Sequence, residues 1–222
     1  MLPYDIFKIN KMLRVNLKEI ILFIVLLLYG VIFSTILNAS ITTNSGVSKE
    51  WAVVDGFRSA KFGSSERSVY NAIKKDFKIN DKNVSRVVHP TQKTVTLSIN
   101  VKGLIDGSGP SKVFYVFGYK SKKLIHISII WGSTVEDHPN AEVITSTANQ
   151  LRIYFSQKKY QKNGIVFNRK LANGTILVFQ GKDEKGRLAR LLLNKPIDRD
   201  GAADINIDLT LSYIEKPDNL DV

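Results

Sequence analysis

Residues 113–130 read VFYVFGYKSKKLIHISII, two apolar runs around a charged centre. Lys112 to Tyr119 is aromatic and β-branched, and Leu124 to Trp131 is a second apolar run rich in Ile. Such side chains suit a pleated, half-buried surface. Tyr119-Lys120-Ser121-Lys122-Lys123 supplies the polar connection, so the stretch reads as a β-hairpin. Residues 175–193, TILVFQGKDEKGRLARLLL, repeat the arrangement. There too an apolar strand ends in Val-Phe, a Gly and a charged turn follow, and Leu opens a second apolar strand.

Working outward, Val84 to His89 and Thr94 to Val101 read as strands before the first hairpin. The second alternates Val95, Leu97, Ile99 and Val101 against Thr94, Thr96, Ser98 and Asn100, the period of a strand with one face inside. Gly164 to Arg169 precedes the second hairpin, and Ile205 to Ile214 follows it with Ile205, Ile207, Leu209 and Leu211 alternating. Ser64 or Ser65 suits a helix N-cap, and Glu66 suits the positive helix end. Val69, Ala72, Ile73 and Phe77 then recur at helical spacing, with Lys74, Lys75 and Lys78 at the other end, predicting a helix over 65–77. After the break Asp137–Asn140, Val143, Ala148, Leu151, Tyr154 and Phe155 mark a longer helix ending near Tyr160. The expected fold is therefore α+β, with an N-terminal transmembrane helix followed by two tandem units, 51–135 and 136–216. Each unit is one helix packed on a four-stranded antiparallel sheet. At ~80 residues a unit is near the lower limit for a self-sufficient core, which favours packing of the two together. Residues 38–50 read as a polar linker and the acidic stretch 217–222 as a frayed tail.

The run IILFIVLLLYGVIFSTIL, residues 20–37, carries no charge over eighteen residues. At ~1.5 Å per residue it covers ~27 Å, close to a ~30 Å hydrocarbon core. Lys8, Lys11, Arg14 and Lys18 precede it, and 38–48 carry no charge. The positive-inside rule then makes 1–19 a cytoplasmic leader and 20–37 a signal anchor. The expected location is the inner (cytoplasmic) membrane, single pass, with the C-terminal part in the periplasm or extracellular. The alternative is a signal peptide cut near Ala39 and secretion to the periplasm; Met12 is an alternative start.

The 222 residues contain no Cys, which excludes disulfides, thiol nucleophiles and Cys-ligated zinc or iron–sulfur centres. Residues 41–140 hold 15 basic against 8 acidic side chains, the larger share of a net charge of +12. Lys outnumbers Arg and no aromatic-interleaved basic motif occurs, so nucleic acid is not the expected partner. His89, His126 and His138 read as structural. Asp198, Asp200, Asp204 and Asp208 lack calcium-loop spacing. Gly103 to Gly109 lacks the context and Lys of a phosphate loop. No catalytic, cofactor or metal set is expected.

Phe62-Gly63-Ser64-Ser65-Glu66-Arg67-Ser68-Val69, followed by a helix and the Val-Phe…Gly…Leu hairpin, resembles the SmpA/OmlA-type envelope proteins of bacteria. More broadly it is similar to the β-lactamase-inhibitor-protein-like fold, which occurs in tandem units. Ser64 stands where that family usually has Met, and the family's lipobox Cys is absent. The resemblance implies an interaction module without catalysis. The expected function is thus a membrane-anchored extracytoplasmic protein-interaction module, a scaffold or accessory subunit of an envelope assembly. Its partners would be other envelope proteins, with the membrane contacted through 20–37. Candidate partner-binding residues are Arg58, Lys61, Phe62, Lys74, Lys75, Tyr115, Phe117, Tyr119, Lys122 and Lys123. The alternative is a periplasmic inhibitor or a small-ligand or glycan-binding module, with Phe114, Tyr115, Phe117 and Tyr119 on a sheet surface.

Overall fold

The computed structural model describes residues 49–194, 207–219 and 221. A two-stranded ribbon, β1 (Gly56–Phe57) and β2 (Ala60–Lys61), leads into helix α1 (Glu66–Phe77). Strands β3 (Ser85–Val88), β4 (Val95–Lys102), β5 (Pro110–Phe117) and β6 (Leu124–Gly132) follow. Then come helix α2 (Ala141–Ser156), β7 (Val166–Lys170), β8 (Ile176–Lys182), β9 (Leu188–Asn194) and β10 (Asp208–Ile214).

The helices begin where their caps dictate. Ser65 accepts the amide of Ser68 at 3.3 Å, and Asn140 accepts those of Glu142 and Val143 at 2.9 and 3.1 Å. Each cap satisfies donors that a first helical turn leaves without partners. Lys78 ends α1 in the left-handed conformation, φ 52°.

Strands β3 to β10 form one antiparallel sheet in the order 3-4-5-6-10-9-8-7. Two meanders meet at their last strands, because β10 pairs with β6 over seven residue pairs from Asp208↔Gly132 to Ile214↔His126. Gly132 permits this joint: its φ is 113°, and a Cβ there would strike the Ile207 carbonyl. The register lines up Ile99, Val113, Ile129, Leu211, Leu191 and Phe179 across six strands. That row is buried, and Val69 and Ile73 of α1 and Ile144, Ala148, Leu151 and Phe155 of α2 share its apolar cluster. Trp131, fully buried, keeps its indole N–H paired to the Ser108 hydroxyl at 3.2 Å. Phe155 stacks on Phe179 with ring centroids 4.9 Å apart.

This arrangement overturns the expected fold class. Among the described residues ten strands stand against two α-helices, and the strands assigned to two separate four-stranded sheets lie in a single eight-stranded one over one core. The expected transmembrane helix and the single-pass placement in the inner membrane do not fit the described residues either. No helix among the described residues is long and apolar enough to cross a membrane. The run 20–37, the leader 1–19, the linker up to 48 and the cleavage site near Ala39 lie outside the described residues, as do Asp198, Asp200 and Asp204. The stretch after Lys216, expected to fray, is held: the Asp218 carboxylate meets Lys182 Nζ at 2.8 Å, and the Asp221 carbonyl accepts the Tyr119 amide at 3.0 Å.

One buried carboxylate fixes the lead-in to the sheet. Asp183, 1 % exposed, sits in the β8–β9 turn. It accepts the amides of Lys185 and Arg187 at 2.9 Å, pairs with the Arg187 guanidinium at 2.7 Å, and accepts the Val54 amide at 3.0 Å across 129 residues. A buried ion left without its partner is costly. Asp183→Ala should therefore destabilise the protein by about 3–5 kcal/mol, measured by urea denaturation.

Candidate functional site

Between the lead-in and the end of α2 lies a cleft of about 390 Å³. Its size falls in the ~300–1,000 Å³ range of small-molecule sites. The lead-in forms one wall because Asp183 holds Val54 and because the Ala52 amide bonds the Lys159 carbonyl at 2.9 Å. The other wall is aromatic: Tyr154 and Phe155 from α2, Tyr160 beyond it, and Tyr213 from β10. Phe57 stacks on Tyr213, ring centroids 6.3 Å apart.

Three cations stand at the mouth, and each is already engaged. Lys61 pairs with Asp55 and Lys158 with Glu50, both at 3.0 Å. Arg58 donates to the Asp76 carbonyl at 3.2 Å, and its guanidinium lies 4.6 Å above the Phe77 ring. Asp76 in turn accepts the Ser59 amide at 2.8 Å and hydroxyl at 2.6 Å, locking the turn in which Arg58 takes φ 51°. Burial pushes the phenols of Tyr160 and Tyr213 well above their ordinary pKa, with Tyr154 adding to both shifts. The phenols are thus neutral donors and acceptors. The cleft offers aromatic walls and neutral hydroxyls, with its cations already engaged, a surface for a neutral, partly apolar group.

A second polar group lies on the sheet face away from the helices. The row Ser98, Phe114, Ser128, Ser212, Arg190, Gln180 crosses six strands. Ser128 Oγ shares hydrogen bonds with His126 Nε2 at 2.9 Å and Ser212 Oγ at 3.2 Å. Arg190 Nε is buried there without a partner. Burial first, and then the Arg190 charge, lower the His126 pKa to about 4. His126 therefore stays neutral at neutral pH. Among the described residues no carboxylate joins these hydrogen bonds, so they show no base–nucleophile–acid chain. Among the described residues no three His, Asp or Glu side chains converge on a common point.

The ten candidate residues are scattered. Arg58 and Lys61 line the cleft, and Phe62 is half-buried next to them. Lys74 and Lys75 lie on the exposed side of α1, Lys74 paired with Asp81 at 2.7 Å. Tyr115 and Phe117 are each 1 % exposed and belong to the core, so they present no partner surface. Tyr119, Lys122 and Lys123 are exposed in the β5–β6 turn, Lys122 lying 4.5 Å from the Tyr119 ring. Phe114 is half-buried on the face away from the helices. Sequence reasoning missed Tyr154, Tyr160 and Tyr213. The first was read only as part of a helix stripe, and the third lies 53 residues beyond the second.

No protein-family model matches the chain, and neither a curated protein nor a solved structure shows significant similarity to it.

The His126 environment has a pH consequence. Its folded pKa lies below the ordinary value of 6.5, so the unfolded chain binds the proton more readily. The contribution is whole above pH ~6.5 and is lost as pH falls towards ~4, by at most about 3 kcal/mol. Denaturation midpoints between pH 7 and 4 should show this slope, and His126→Gln should flatten it.

Proposed function

We propose that this chain is a non-catalytic protein-interaction module, a scaffold or accessory subunit that takes an extended segment of another protein onto the edge of β3, which no other described strand pairs. The observation that carries this reading is the difference between the two ends of the sheet. An edge strand presents unpaired backbone groups and is a template for strand addition. At β7 the template is spoiled: Asn168 has φ 48° and drops out of the pairing between Phe167↔Phe179 and Arg169↔Leu177, with Arg169 and Lys170 alongside. At β3 all four residues pair in register with β4, and all four are exposed. Val87 and Val88 are 57 % and 46 % exposed, and the Arg86 charge is taken up by Glu66 at 2.6 Å. Such an edge favours a β-branched, uncharged partner segment. The resemblance to envelope interaction proteins supports the same class.

Selection of random peptides on the full chain should enrich extended, β-branched sequences. Val87→Lys with Val88→Lys, both on the surface, should leave the denaturation midpoint in place and weaken those peptides by at least ~10-fold. Equal binding by the double variant would remove the edge from the reading.

A second reading is favoured by the cleft. Its neutral tyrosine hydroxyls and aromatic walls suit a small polar ring such as a sugar. Monosaccharides titrated by NMR should then shift resonances of Tyr154, Tyr160 and Tyr213, and Tyr154→Ala should abolish the shifts.

A further inference from the structure

The β5–β6 turn holds an anion. The amides of Lys120 and Ser121 donate to the two carboxylate oxygens of Asp221, at 2.9 and 2.8 Å. The preceding amide, Tyr119, donates to the Asp221 carbonyl at 3.0 Å. Three consecutive N–H groups thus converge on one residue about a hundred positions away. Successive amides turned to one side make a concave binding place for negative charge. Gly118 keeps it open, since a Cβ there would strike the Asp221 carboxylate and sit 2.6 Å from the Ser121 hydroxyl. The Ser121 side chain, then the Lys120 and Ser121 amides, hold the Asp221 carboxyl down at about 2, so it is ionised at any physiological pH. Exposed Lys120, Lys122 and Lys123 surround the turn. Glu215, Lys216 and Asn219 line a hollow of about 170 Å³ beside it, with Gly63 and Ile125 at its base.

The turn does not need its guest to close. The Gly118 amide bonds the Lys123 carbonyl at 2.9 Å, and the Lys122 amide bonds the Gly118 carbonyl at 3.1 Å. The segment that delivers Asp221 is tied at the surface: Asp218 meets Lys182 at an exposed site, and the Asn219 amide reaches Lys216. A preformed receptor whose occupant is carried on a surface segment is what exchange requires.

We propose that the β5–β6 turn is a binding site for an acidic peptide, its amides and lysines receiving an aspartate or glutamate carboxylate, and that Asp221 occupies it until such a peptide displaces it. This rests on the interaction-module reading and names the chemistry of a second contact with the partner. A tethered occupant competes at an effective concentration on the order of millimolar. Releasing it therefore exposes the site to weak ligands.

The experiment uses the full chain and a fluorescent peptide of residues 215–222, EKPDNLDV. Asp221→Asn should bind this peptide at least ~10-fold more tightly than the unchanged chain. Binding should weaken as salt is raised. It should vanish when the peptide carries Asn in place of its second Asp, and when Gly118→Val is added to the Asp221→Asn protein. Circular dichroism and the denaturation midpoint confirm that each variant is folded. Equal weak binding by the folded Asp221→Asn variant and the unchanged chain overturns the proposal, because Asp221 is then only a structural clasp. So does binding that ignores the peptide's carboxylate. Either failure leaves the β3 edge selection untouched, whereas loss of edge binding with intact peptide capture rejects the edge and keeps this site.

Discussion

The pairing of β10 with β6 is the constraint on which the rest depends. Without it the chain would be two short meanders, each with an extra open edge and a thin core. With it, Leu209 and Leu211 fall opposite Trp131 and Ile129, and one apolar row runs unbroken beneath both helices. The two strands lie about 80 residues apart in sequence, but the entropy of closing so long a loop grows only logarithmically with length. Burying a row of large side chains is worth more, at ~25 cal/mol per Å². A glycine at position 132 is part of the same bargain, since the strands close on it more tightly than a side chain would allow.

The cleft follows from this joint. Tyr213 reaches it from β10, which stands between β6 and β9. The opposite wall is set by Asp183, whose turn catches the lead-in at Val54. Two long-range contacts therefore place aromatic groups from four separate stretches around a single space. The chain is strongly basic, yet every cation at the mouth is engaged by a carboxylate, a carbonyl or a ring.

The strands and helices were legible because alternation and helical spacing are local. Val95, Leu97, Ile99 and Val101 state a strand and its inner face unaided. The joining of the strands was not legible, because the alternation of Leu209 and Leu211 is the same whether the neighbour is β6 or nothing. Val113 to Phe117 marks a strand but not its inside, since both sets of alternate residues are apolar; Tyr115 and Phe117 were expected at a surface and lie in the core. Of the cleft, Arg58 and Lys61 were visible as cations in a distinctive lead-in. The tyrosines were not, since only the fold brings 154, 160 and 213 together. Asp221 read as solvated charge because a carboxylate's partners, when they are backbone amides a hundred residues away, leave no mark on composition.

The unequal ends of the sheet set how far association can go. A body with two receptive rims can add copies of itself without limit and grow into a filament. Here Asn168, Arg169 and Lys170 disfavour growth at one rim. Addition at the other, as proposed, would therefore stop after a single step, leaving a sticky border that does not become a seed for fibres.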